Sequence, residues 1–128
     1  MALAPMEDVT DVAFRQMFTV LPKPDVMFTE FTSADGLMSI GKLRLIEKFK
    51  FTPKQKPIAA QIFGANPKTL QGAAELVSSL GFNGVDINMG CPVKEVVTKG
   101  AGAALAKNFT LTKEIISAVK VGAGDIPV

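Results

Sequence analysis

The chain has 128 residues, 48% apolar and 20% charged, with a net charge of +2 and a single cysteine. This is ordinary globular composition: it excludes a disordered tail and an internal disulfide, and the slight basic excess permits a nucleic-acid partner without arguing for one. There is no histidine, so acid–base chemistry falls to Cys, Asp, Glu or Lys, and the commonest metal ligand is missing.

No apolar run approaches the roughly 18 residues of a membrane span. The opening MALAPMEDVTD lacks the basic and apolar regions of a signal peptide. The expected setting is the reducing cytoplasm, with no membrane and no metal.

Taken in order, short apolar strands alternate with helical patterns. Leu3, Ala4, Pro5 and Met6 form the first strand run. Thr10 is expected to cap a helix whose buried face is Phe14, Met17, Phe18 and Leu21, ended by Pro22 and Pro24. Residues 26–31 read as the second strand. Residues 33–49 read as helical with a break near Gly41, and residues 50–57 as a polar connector. Residues 58–63 form the third strand. Asn66-Pro67 then signals a helix start, with Leu70, Ala73, Ala74, Val77 and Leu80 as its stripe and Gly81 as its stop. The fourth strand is expected at 85–88 and a short helix at 100–107. Asn108 should cap a last helix buried through Leu111, Ile115, Ala118 and Val119. Residues 126–128 begin a fifth strand.

Alternating strands and helices imply a parallel sheet, either an open doubly wound sheet or part of a (β/α)8 barrel. A full barrel needs about 250 residues, so on the barrel reading this α/β chain supplies about four βα units. Both folds place chemistry at the carboxyl ends of strands. Those ends carry Pro5 and Met6, Glu30, Gln61, and Asn88 followed by Cys91. A lone cysteine is ordinarily a small buried hydrophobe. Cys91, however, sits between Gly90 and Pro92 on a loop just past a strand. The run Gly100-Ala101-Gly102-Ala103-Ala104 matches no phosphate-loop spacing and suits close helix packing on small residues better. Lys42, Arg44, Lys48, Lys50, Lys54 and Lys56 form a basic stretch whose 50–56 part belongs on the face opposite the strand tips. Lys94, Lys99 and Lys107 lie nearer the tips and are the better phosphate candidates.

Several segments resemble one family: Leu3 to Met6 with Val9-Thr10-Asp11 and Phe14-Arg15; Thr29-Glu30 with Ser33-Ala34-Asp35; Ala60 to Gly64; and above all Asp86-Ile87-Asn88-Met89-Gly90-Cys91-Pro92, continuing to Lys99–Leu105. Together they resemble the tRNA-dihydrouridine synthases, in order and over essentially the whole chain. The resemblance implies an FMN-binding (β/α)8 barrel. NADPH reduces the flavin, hydride passes from N5 to C6 of a flipped-out uracil in tRNA, and a cysteine protonates C5. It assigns Cys91 as that acid, in keeping with a thiol's ordinary protonation at neutral pH. Pro5, Met6 and Glu7 become the loop against the flavin, and Gln61 a hydrogen-bond partner of its ring. Asn88, with Glu30 as a weaker match, contacts the substrate. Asp8 departs from the glycine common at its position.

The family's flavin-contacting lysine, its histidine, its last phosphate-binding loops and its C-terminal helical tRNA-binding domain have no counterpart here. The 128-residue piece is therefore expected to be inactive and to bind FMN weakly or not at all; a stoichiometrically yellow chain would refute that. An open barrel edge is also expected to favour self-association. Two other readings are an FMN barrel of the dihydroorotate dehydrogenase type, and a non-catalytic half-barrel that binds RNA or a protein partner.

Overall fold

A computed structural model describes residues 1–128. It contains five strands, β1 (Ala2–Leu3), β2 (Val26–Phe28), β3 (Thr32–Ser33), β4 (Ile58–Phe63) and β5 (Gly84–Ile87). Every pairing is parallel. β1 lies beside β2, β2 and β3 both lie along one edge of β4, and β5 lies along the other.

β2 and β3 are two parts of one traverse. Phe28 is opposite Ala59, yet Thr32 is opposite Ile62. Four steps on one strand thus face three on the other, which is a β-bulge of one residue. The uninterrupted strand expected at 26–31 is broken by it. At the bulge the Thr29 hydroxyl replaces a backbone carbonyl in the ladder, accepting from Gln61 N at 3.1 Å. Thr29 N still donates to Ala59 O at 3.0 Å.

With that traverse counted once, the strands neighbour one another in chain order. A doubly wound sheet reverses order at a switch point; this one does not, and it forms an arc of a (β/α)8 barrel. The expected fifth strand shows only its first rung, Val85 N donating to Pro127 O at 2.9 Å.

The helices are α1 (Val12–Met17), α2 (Ala34–Leu37), α3 (Lys42–Leu45), α4 (Pro67–Ser79), α5 (Lys94–Val97) and α6 (Phe109–Ala123). The main core joins Ile58, Ala60 and Ile62 of β4 to Leu70, Ala73, Ala74 and Val77 of α4 and Ile115, Val119 and Ala123 of α6. Alternation along β4 sends these residues to the helices and leaves Ala59, Gln61 and Phe63 for the other face. Asn66 and Asn108 cap α4 and α6 as expected, accepting from Lys68 N and Leu111 N. Gly81 stops α4 at φ +80°. No helix is long and apolar enough to cross a membrane.

Two local expectations are corrected. Asp11, not Thr10, caps α1, its carboxylate accepting from Phe14 N at 2.7 Å. The buried side of α1 carries Arg15, whereas Met17 and Leu21 are 59% and 55% exposed. Residues 33–49 are helical with the expected break before α3, as α2, α3 and a 3-10 turn, and the short helix expected at 100–107 forms as a 3-10 helix from Gly102 to Lys107.

Candidate active site

The β1–α1 loop is tied down from three directions. Thr10 bonds Met6 twice through its hydroxyl, accepting from N at 2.9 Å and donating to O at 3.0 Å. Asp8 N donates to Glu30 Oε1 at 2.7 Å. Arg15 lies fully buried beneath and donates to Thr10 O at 2.5 Å, Lys50 O at 2.6 Å and Gln55 Oε1 at 3.2 Å. Burial lowers the Arg15 pKa from its ordinary value, and the charges of Glu30 and Asp11 oppose that shift. Asp8 has φ +58°, the left-handed region that favours glycine and that aspartate tolerates better than most residues. The departure from glycine noted in the sequence therefore falls where a side chain is strained.

Glu30 sits in the bulge, 6% exposed, and its contact is the loop backbone. Pro5 is half-buried, while Met6 and Glu7 are exposed. Glu7 forms an ion pair with Lys48, which brings that lysine to the strand-tip side. Carboxylate oxygens of Glu7, Asp8 and Glu30 lie within 4.8 Å of one another.

On the neighbouring strands the amides and the cysteine loop form one chain of hydrogen bonds. Gln61 and Asp86 are register partners across β4 and β5, and Gln61 Nε2 donates to Asp86 Oδ2. Asn88 Nδ2 donates to Gln61 Oε1 at 3.0 Å. Asn88 Oδ1 accepts from Cys91 N at 3.0 Å and from Gly90 N at 3.3 Å. An amide has two N–H donors and two lone pairs. Gln61 therefore keeps one free N–H and one free lone pair. Asn88 keeps one free N–H, and its oxygen is saturated.

Cys91 is half-buried. Its carbonyl accepts from Ala103 N at 3.0 Å, so its backbone is held on both sides. The glycine-alanine run explains that second hold. Gly102 lies at φ +57°, and a Cβ there would stand 2.6 Å from Cys91 O and 2.8 Å from Val96 Cγ1. The run thus packs against the cysteine loop, as the packing reading of the sequence anticipated. Gly90 has nothing within 4 Å of an added Cβ, so the loop is open on that side.

The structure brings Gln61, Asn88 and Cys91 into one network. It places Glu30 and the Pro5–Glu7 loop in a second network, joined to the first through the Thr29–Gln61 bond. Sequence reasoning gave Thr29, Asp86 and Arg15 no role of their own in this architecture. Asp86 carried a readable signal: Gly84, Asp86 and Asn88 alternate with the apolar Val85 and Ile87, which puts the carboxylate on the amide face. Lys94, Lys99 and Lys107 are exposed and in no ion pair. The largest hollow, about 440 Å³, is lined by Met38, just past α2, and by Lys68, Thr69, Gln71, Gly72 and Glu75 of α4, and by none of the residues of the two networks.

Residues 2–128 match the family described as dihydrouridine synthase (Dus). The chain is 42% identical over 127 residues to "Probable tRNA-dihydrouridine synthase 2" of Bacillus subtilis (strain 168). It is 39% identical to "Probable tRNA-dihydrouridine synthase" of Staphylococcus aureus (strain COL), and 38% identical to the protein of that name from Staphylococcus epidermidis (strain ATCC 12228 / FDA PCI 1200). Each alignment covers 98% of this chain and 38% of the relative, so the chain spans well under half the length of the proteins it matches.

Proposed function

The chain belongs to the dihydrouridine synthase family, and from that premise we propose that it supplies the first βα units of a flavin-dependent reductase acting on uridine in tRNA. The observation that carries the reading is the hydrogen-bonded chain from Gln61 through Asn88 to the peptide of Cys91 at the strand tips.

The donors present fit FMN. Gln61 retains both a donor and an acceptor, which suits the alternating N–H and C=O groups of an isoalloxazine edge. Pro5, Met6 and Glu7 provide the loop backbone beside it, held by Glu30, Thr10 and Arg15. When bound, the flavin supplies the hydride that adds to C6 of the pyrimidine, with NADPH as the external reductant. Cys91 holds a proton on Sγ and delivers it to C5, where carbanion character develops, so the base gains one hydride and one proton. Asn88 offers its remaining N–H to the substrate. Exposed Lys94, Lys99 and Lys107 face the tRNA backbone, an attraction that weakens with salt. The flavin phosphate in such barrels is held by loops after strands seven and eight.

The test is a chimera in which this chain replaces the matching stretch of the Bacillus subtilis relative. It is expected to form dihydrouridine in tRNA with NADPH. Cys91→Ala should leave flavin reduction by NADPH intact and abolish dihydrouridine formation. Equal turnover by that variant removes Cys91 from the role of acid. A chimera that binds flavin yet forms no dihydrouridine sinks the reading, and salt-sensitive RNA binding without flavin dependence supports a non-catalytic half-barrel instead.

A further inference from the structure

We infer that Asp86 is a positioning residue, whose carboxylate sets the direction of both site amides and, through them, holds the peptide of Cys91. The argument starts from what each group can do. An ionised carboxylate only accepts, and a backbone N–H only donates. Two amides between such ends have one arrangement that satisfies every link. The Gln61 N–H points to Asp86, the Asn88 N–H points to Gln61 Oε1, and Asn88 Oδ1 receives Cys91 N–H. Turning either amide over sets oxygen against oxygen or N–H against N–H.

Among these links only Asp86 brings a charge. A charged acceptor binds an N–H roughly twice as strongly as a neutral one, and polarisation passes along such a chain. The arrangement has a chemical consequence for any ligand. Asn88 has no lone pair left, so the ligand atom that meets it must be an acceptor, such as a carbonyl oxygen. An exocyclic amine in that place would face N–H against N–H. This consequence rests on the functional reading above; the direction of the amides does not.

The test uses the 128-residue chain and amide NMR, so it is independent of turnover. In Asp86→Leu, hydrogen exchange of the Cys91 N–H is expected to accelerate at least tenfold, while the core amides of Leu70 and Val77 keep their protection. In Asp86→Asn the carbonyl still accepts, so Cys91 exchange should stay within about threefold of the parent. The side-chain N–H resonances of Gln61 and then Asn88 should nevertheless move upfield as the charge is lost. Unchanged Cys91 exchange in Asp86→Leu overturns the inference. Should the leucine variant unfold, Asp86→Asn decides alone: Gln61 and Asn88 resonances at their parent positions overturn it equally. A chimera that fails to reduce uridine sinks the functional reading and leaves this result standing.

Discussion

Gly102→Ala probes the support behind the cysteine loop, and its size follows from two separate contributions. At φ +57° a side chain meets the left-handed penalty, about 1–2 kcal/mol. The new Cβ would also lie 2.6 Å from Cys91 O and 2.8 Å from Val96 Cγ1. One of these is backbone, so relief requires moving the loop, and overpacking of this kind costs about 1–3 kcal/mol. The expected loss is about 2–5 kcal/mol, a large share of the stability of a small domain. Two controls separate the contributions. Gly81 has φ +80° with nothing nearer than Lys56 Nζ at 3.8 Å, so Gly81→Ala carries the φ penalty alone. Gly90 has neither a positive φ nor a neighbour, so Gly90→Ala should change stability by less than about 0.5 kcal/mol. Urea unfolding of the three variants gives the order, and the reaction of Cys91 with a disulfide reagent reports the loop. Faster thiol modification is expected in Gly102→Ala only. If Gly102→Ala costs no more than Gly81→Ala, the contact with Cys91 is not what requires glycine there.

Thr32 is 1% exposed and its hydroxyl has no partner; Thr32→Val keeps the shape and removes that group, so it should raise stability by about 1 kcal/mol in urea unfolding. A loss instead would show that the hydroxyl is satisfied in solution. Arg15→Lys places one ammonium where a guanidinium reaches three oxygens, and should cost about 3 kcal/mol. It should also speed exchange of the Met6–Thr10 loop amides more than those of α4. A loss below about 1 kcal/mol, or uniform exchange, would remove Arg15 as the anchor of that loop.

Some of this protein was legible from residue order alone, because the physics involved is local. β4 and α4 fell where alternation, the Asn66-Pro67 start and the Gly81 stop placed them. The cap at Asn108 is likewise a contact of a side chain with its own next turn. The amide–cysteine cluster was anticipated because strand direction sends residues at carboxyl ends to a common side. Elsewhere local signals misled. Thr10 and Asp11 are both capping residue types, and only the fold of the loop onto Met6 decides that Thr10 is spent there. The apolar spacing of Met17 and Leu21 is left exposed, while Arg15 is buried because three oxygens, two of them from residues 50 and 55, converge on it.

Composition and local pattern therefore determined the α/β class, the limits of α4 and the start of α6, and which polar residues stand at the strand tips. Tertiary structure decided the one-directional strand order, the bulge that turns Glu30 toward the β1–α1 loop, and the pairing of Asp86 with Gln61. Each of these depends on pairing between segments 25 to 31 positions apart. Register is set by how two strands settle against shared helices, and neither strand encodes it alone.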